Sequence, residues 1–316
     1  MTGTPELRFD DRVAIVTGAG RGLGRAHALL LAARGATVVV NDFGGSKEGV
    51  GSDTGPANEV VAEIVAAGGR AIADTHSVGT EEGCHALVDG AVREFGRVDI
   101  VVNNAGISQW QTFPQAGADN LERTLDVHLR GTWHTTRAAW PYMEKQGYGR
   151  VITTASTGLL GLADNLAYAT AKGALIGFTR SLAFGSAAKG ILVNCVAPNS
   201  VTRPSESAAK PNVVTATPMD AARAAAMATE NVSPMVAYLA HESCAVNGEI
   251  LVAGAKRFGR WFLGFTPGWR DTTEGAPTAE DVVAHWDEIV DEKDYYVPTG
   301  TMDWGARFMS HLYPTA

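Results

Sequence analysis

Tyr168 and Lys172 stand four residues apart in the run Asn-Leu-Ala-Tyr-Ala-Thr-Ala-Lys, and the chain continues as Gly-Ala-Leu-Ile-Gly-Phe-Thr-Arg in a helical pattern. On a helix that spacing puts both side chains on one face. A phenol ordinarily ionises near about pH 10, too high for a base at neutral pH. A neighbouring ammonium favours the phenolate and lowers that value. A phenol tuned in this way takes a proton from an alcohol or returns one to a ketone. Ser156, on the loop before, is placed to hold the same substrate oxygen. Y-x-x-x-K alone occurs by chance in many helices, so its weight depends on whether the rest of the chain supplies a cofactor.

The elements that must position this pair are legible as short apolar runs alternating with longer helical patterns. The runs are Val13–Val16, Thr37–Val40, Ala71–Ala73, Ile100–Val102, Val151–Thr154, Ile191–Val196 and Glu249–Val252. Most are nearly continuous Val, Ile and Ala, as expected of strands buried on both faces. Between them lie helical patterns such as Arg25–Arg34, Ala57–Ala67, Glu81–Glu94 and Leu121–Lys145. The alternation predicts an α/β fold, a Rossmann-type doubly wound sheet of seven mainly parallel strands with helices on both faces.

The first strand runs into Thr17-Gly18-Ala19-Gly20-Arg21-Gly22-Leu23-Gly24, and a helix pattern opens behind it. Glycines let a backbone turn tightly and approach a pyrophosphate, which then rests on the helix N-terminus. Asp42 closes the second strand, roughly 20 residues beyond the loop, where an acid accepts hydrogen bonds from a ribose. A carboxylate there repels a 2′-phosphate, which selects NAD over NADP; Arg21 pulls the other way. Residues 43–56 form a glycine-rich connection longer than ordinary loops, either functional or mobile. Ser77 and Val78 follow the third strand and either flank an adenine or make an ordinary turn. The fourth strand ends Asn103-Asn104-Ala105-Gly106, whose small residues let a cofactor lie close. His128 sits in the long pattern Leu121–Lys145, as a core residue or as a catalyst.

Past the sixth strand, residues 200–229 are rich in Ala, Ser, Thr and Pro and are expected to form a substrate lid. Residues 1–254 thus read as a dinucleotide-binding domain and 255–316 as an aromatic-rich extension holding Trp261, Trp269, Trp286 and Trp304. Such an extension docks on the domain, on a second subunit or over the substrate. Thr278-Ala-Glu-Asp281 has the form of a capping box.

The chain has 316 residues and a net charge of −8, which gives nucleic acid no basic field. Its three cysteines, Cys84, Cys195 and Cys244, have no paired spacing, which argues against a disulfide framework or a metal site. No apolar run reaches the ~20 residues of a membrane span. The first residues carry no secretory pattern, and the last four, Tyr-Pro-Thr-Ala, are not a peroxisomal address. A cytoplasmic location is the expectation these features give.

In order along the chain, Thr17-Gly18-x-x-x-Gly22-x-Gly24, Asn103-Asn104-Ala105-Gly106, Ser156 and Tyr168-x-x-x-Lys172 resemble the short-chain dehydrogenases/reductases, over residues 12–254. A narrower likeness covers nearly the whole chain. Val38-Val-Val-Asn-Asp-Phe-Gly-Gly45, Val127-His-Leu-Arg-Gly131, Thr136-Arg-Ala-Ala-Trp140, Ala197-Pro-Asn199 and His241-Glu-Ser-Cys244 are similar to the (3R)-hydroxyacyl-CoA dehydrogenase domain of peroxisomal multifunctional β-oxidation enzymes. The resemblance implies that Tyr168 is the catalytic acid/base, that Lys172 binds the nicotinamide ribose and that Ser156 holds the substrate oxygen. It implies an NAD site lined by Gly18, Arg21, Gly22, Leu23, Gly24, Asp42, Ser77, Val78, Asn104, Ala105, Gly106 and the stretch from Pro198 to Val201. It also implies a homodimer or homotetramer.

Two departures stand out. Many members have thirteen residues from the serine to the tyrosine; here the step is twelve, and counting back thirteen reaches Ala155. A loop one residue shorter accounts for this with Ser156 as the serine. His128 stands where the family has a helix asparagine that supports a relay water, and its part in a relay is open. The expected activity is NAD-dependent oxidation of a secondary alcohol, a (3R)-hydroxyacyl-CoA first, with a hydroxysteroid or other bulky alcohol as the alternative. A non-catalytic module that senses NAD is a third reading, which intact Ser156, Tyr168 and Lys172 oppose.

Overall fold

The Val/Ile runs pair side by side because each carries apolar side chains to both faces. In the computed structural model, which describes residues 5–162, 164–200 and 220–312, the strands are β1 (Val13–Thr17), β2 (Thr37–Asn41), β3 (Arg70–Asp74), β4 (Ile100–Asn103), β5 (Gly149–Thr154), β6 (Ile191–Asn199), β7 (Ile250–Gly254) and β8 (Arg257–Trp261). They form one sheet in the order β3-β2-β1-β4-β5-β6-β7-β8. The pairings from β3 through to β7 are all parallel. On β1, Ala14 and Val16 belong to one apolar core with Leu31, Val60 and Val236. Val13 and Ile15 belong to the other, with Leu87, Val88 and Met143. This alternation covers both faces with helices. The strand order reverses between β1 and β4, and crevices outside the carboxyl ends at such a point receive ligands.

The helices that build the site are α1 (Gly22–Ala33), α2 (Gly55–Ala66), α3 (Glu81–Phe95), α4 (Ala118–Leu125), α5 (Gly131–Gln146) and α6 (Leu166–Ala183). Two elements differ from the sequence reading. The pattern Leu121–Lys145 is not one helix: α4 and α5 are joined by a π-helical turn over Asp126–Arg130. Hydrophobic periodicity does not register one extra residue in a turn. The sheet also has an eighth strand. Arg257–Trp261 is almost wholly exposed and shows no buried alternation, so the apolar signal for a strand is missing. Its turn uses Ala255 and Lys256 at φ 50° and 58°, a left-handed pair that glycine or asparagine usually announces.

By contacts the chain divides into two compact units, Met1–Arg260 and Trp261–Ala316. Within the second, Phe262 stacks on Tyr295 and Phe265 lies against both Tyr296 and Trp304. The Thr278–Asp281 capping box is formed, and it opens the helix Ala279–Ala284. Of the expected lid, residues 201–219, Val201 among them, lie outside the described residues; Ala221–Ala226 is a helix. Among the described residues no helix is long and apolar enough to cross a membrane, and no cluster of metal-ligating side chains occurs.

Candidate active site

A cleft of about 280 Å³ opens at the carboxyl ends of the strands. Its floor is the glycine loop. Gly18, at φ 62°, passes so close to β4 that a Cβ would lie 2.8 Å from the Ala105 Cα. At Gly24 a Cβ would lie 2.2 Å from the Gly18 carbonyl oxygen and 2.5 Å from Asn104 Nδ2. Gly24 therefore shapes the loop from behind and does not line the cleft, whereas Gly18, Arg21, Gly22 and Leu23 do. Asn104 lines it too, but its amide is committed: Nδ2 donates to the Thr17 carbonyl at 2.9 Å and the Gly18 carbonyl at 3.1 Å. These two bonds tie the turn after β4 to the glycine loop. Ala105 and Gly106 follow it along the wall.

Asp42 is held from both sides. Oδ2 accepts from the Gly20 N–H and Oδ1 from the Gly44 N–H, each at 2.8 Å. Each oxygen keeps a lone pair for a ligand hydroxyl. Ser77 and Val78 line the same end, with the Ser77 hydroxyl accepting from the Gly79 N–H. Pro198 lines the opposite end beside Lys172 and Tyr168. A pyrophosphate at the glycine loop, a ribose at Asp42 and a nicotinamide near Lys172 fit these donors, acceptors and missing side chains.

The reactive end is set by α6. Lys172 is 4 % exposed, and its ammonium donates to the Thr154 carbonyl. Burial pushes it down to about 8, opposed by the Cys195 thiol. Tyr168 stands one turn earlier on the same helix. Burial pushes the phenol above its usual value, and the Ser156 hydroxyl pulls it part of the way back. The sequence reading assigned the downward pull to Lys172. In the folded chain Lys172 Nζ donates to the Thr154 carbonyl and stands 5.7 Å from the Tyr168 ring centre, and the downward pull on the phenol comes from the Ser156 hydroxyl. Ser156 does not itself line the cleft; Thr154 and Ala155 do. It caps the short 3-10 turn Thr157–Leu160, with its Oγ accepting from the Gly158 N–H at 3.0 Å. The shortened loop thus still lets the Ser156 hydroxyl act on the Tyr168 phenol.

His128, on the π-helical turn, meets the Tyr168 ring edge-on at 5.4 Å between centroids. Its Nε2 lies 2.8 Å from the Ile107 carbonyl oxygen and 3.1 Å from the Ile107 amide nitrogen, while its buried Nδ1 has no partner. Burial, with Lys172 nearby, holds the ring neutral down to about pH 3. His27, buried and bonded to Ser233, is likewise held to about 3 by burial. Both rings take up a proton near 6.5 once unfolded. Between those values the unfolded chain binds more protons, so stability rises with pH across the window and is lost as pH falls below about 6.5. Each ring contributes up to about 1.4 kcal/mol per pH unit there. Urea midpoints between pH 7 and 4.5 should fall accordingly, and the fall should be shallower in His27→Gln; equal slopes would exclude His27 as a source.

Sequence reasoning missed one wall. Phe43, Gly45, Ser46, Lys47 and Gly49 line the cleft, as do Ile107 and Ser108. The length and glycine content of residues 43–56 were the available signal; nothing in them said which way the loop folds.

A family model of short chain dehydrogenases matches residues 12–212. A short-chain type dehydrogenase/reductase of Mycobacterium tuberculosis is 42% identical over 282 residues, covering 89% of this chain and 94% of that one. Mouse peroxisomal multifunctional enzyme type 2 is 41% identical over 287 residues, covering 90% of this chain but 37% of its own length. The chain therefore spans little more than a third of that relative. A solved 7α-hydroxysteroid dehydrogenase with NADH and 7-oxo glycochenodeoxycholic acid superposes with a TM-score of 0.68 at 29% identity, covering 78% of this chain and 94% of that one. The cytoplasmic expectation is corrected by these comparisons. Relatives from mouse, Neurospora crassa and Saccharomyces cerevisiae are named as peroxisomal, which overturns the cytoplasmic expectation. Addresses are short receptor-read segments, independent of the fold, so a missing signal was no physical ground for a compartment. With the family match across the glycine loop and the Tyr-Lys helix, the chain belongs to the short-chain dehydrogenases/reductases, NAD-dependent oxidoreductases acting on CH–OH groups.

Proposed function

We propose that this enzyme oxidises a (3R)-hydroxyacyl-CoA to the 3-ketoacyl-CoA, with Tyr168 as the acid/base. The carrying observation is that Tyr168 and the buried Lys172 ammonium, one helical turn apart on α6, both line a cleft whose floor is the glycine loop. The 41% identity to the mouse multifunctional enzyme supports the substrate class. A bound NAD would supply the acceptor for the hydride of the carbinol carbon. Tyr168, as phenolate, takes the proton of the alcohol oxygen. Ser156 holds that oxygen and steadies the phenolate. Lys172 would hold the nicotinamide ribose. The neutral His128 ring packs edge-on against Tyr168 and limits where its oxygen can point. The active unit is a homodimer or homotetramer.

A panel of (3R)- and (3S)-hydroxyacyl-CoAs and hydroxysteroids, read by NADH production, tests the assignment. Turnover of the (3R) thioesters alone is expected. Preference for the steroids would favour the second reading, which the likeness to the 7α-hydroxysteroid dehydrogenase supports. The rate of oxidation should rise with pH as Tyr168 ionises. In Ser156→Ala the hydroxyl that lowers this pKa is gone, so the rise should move to higher pH and the plateau should drop by about a hundredfold. A profile unchanged in position would remove Ser156 from the mechanism.

A further inference from the structure

Residues 43–53 leave β2 at Asp42 and return beside α2, and the segment is folded rather than slack. Its neck is closed by the Asp53 N–H donating to the Phe43 carbonyl at 3.2 Å. At Gly44, a Cβ would lie only 1.8 Å from the Asp53 carbonyl oxygen. The tip is a tight turn, with the Val50 carbonyl accepting from the Ser46 N–H at 2.8 Å and the Ser46 carbonyl accepting from the Gly49 N–H at 2.9 Å.

This tip is fastened across the cleft. The Ser108 N–H donates to the Lys47 carbonyl at 2.9 Å, joining it to the segment after β4. The Arg123 guanidinium, on α4, donates to the Glu48 carbonyl at 2.8 Å. Gly49 packs on Ile107 so closely that a Cβ would lie 2.9 Å from its Cγ2. The segment therefore starts at the acid that meets the ribose and ends against Ile107, whose peptide also seats His128. Phe43, Ser46 and Lys47 face the cleft between these two anchors.

We propose that residues 43–53 form a strap that supplies a further wall of the nicotinamide dinucleotide site, latched at Ile107, Ser108 and Arg123, and that opening of this latch sets the rate at which NAD and NADH exchange. The proposal rests on the cleft being the NAD site. A dinucleotide laid from Asp42 to Lys172 passes beneath a bridge fixed at both ends, so it leaves only when one end comes free. The neck is an intramolecular turn beside Asp42; the tip is held by contacts to separate elements and is the end that can release.

The test is the dissociation rate of NADH from the intact enzyme, followed by stopped-flow fluorescence after displacement with excess NAD. Arg123→Ala removes one latch bond and should speed release roughly fivefold, the worth of one net hydrogen bond. Its single-turnover hydride step should stay within about twofold, since Arg123 touches neither the reacting atoms nor the cleft. Arg123→Lys, which can still donate to a carbonyl, should restore part of the loss. Gly49→Ala, with its methyl pressed on Ile107 at φ +77°, should speed release independently. Unchanged release in Arg123→Ala overturns the proposal, as does release that quickens only in step with a slowed hydride transfer. If Gly49→Ala fails to fold, Arg123→Ala decides alone, because that side chain lies at the surface. Wild-type enzyme that does not bind NADH overturns instead the reading of the cleft on which the strap depends.

Discussion

Tyr168→Phe is expected to cut alcohol oxidation by at least about a thousandfold, within the range for losing a positioned acid/base, while NADH affinity stays within about twofold. The substitution removes one oxygen and keeps the ring, so its edge-on contact with His128 survives. It also removes the phenol on which the Ser156 hydroxyl acts. Isothermal titration with NADH beside steady-state rates separates the outcomes. A rate loss matched by an equal loss of NADH affinity would point to a collapsed cleft. Retained turnover would remove Tyr168 from the chemistry.

Asp42→Ala is expected to raise the NADP-to-NAD ratio of kcat/KM by about ten- to a hundredfold, the scale of hydrogen bonds to a charged group. Two effects act in the same direction. Ribose hydroxyls lose their acceptor, and a 2′-phosphate no longer meets a carboxylate, while Arg21 stays on the cleft wall. Asp42 also anchors Gly20 and Gly44 through separate oxygens, so affinity for both cofactors should fall. The ratio, not either constant alone, carries the test. Asp42→Asn sharpens it, since an amide has one accepting oxygen and cannot hold both backbone N–H groups. An unchanged ratio in both variants would mean that specificity is set elsewhere.

These expectations were largely available from the chain itself. Strands buried on both faces write themselves as Val and Ile runs, so seven of the eight were legible; β8, exposed and turned by Ala255 and Lys256, left no such trace. Asp42 could be found by its distance from the glycine loop, because a βαβ unit fixes that distance. What could not be read was commitment. Asn104 has the right type and place for a ribose, yet Thr17 and Gly18 claim its amide. Lys172 has the right spacing from Tyr168, yet its ammonium donates to Thr154 and the downward pull on the phenol comes from Ser156. The strap was visible as a length of glycine-rich chain, but its anchors at Ser108 and Arg123 lie 61 and 75 residues from their partners, beyond any local pattern.

The π-helical turn at Asp126–Arg130 bears on how this enzyme could be changed. It holds one residue more than an α-helix would, between two regular helices that each pack on the fold. Deleting a single residue there would let α4 and α5 fuse into an uninterrupted rod with both ends still in phase. Helical regularity would improve, and the ring that faces Tyr168 would swing out of place. Stability and activity are therefore set against each other at one position, where a selection for thermal resistance alone would be drawn to shorten the chain by one residue at the expense of catalysis.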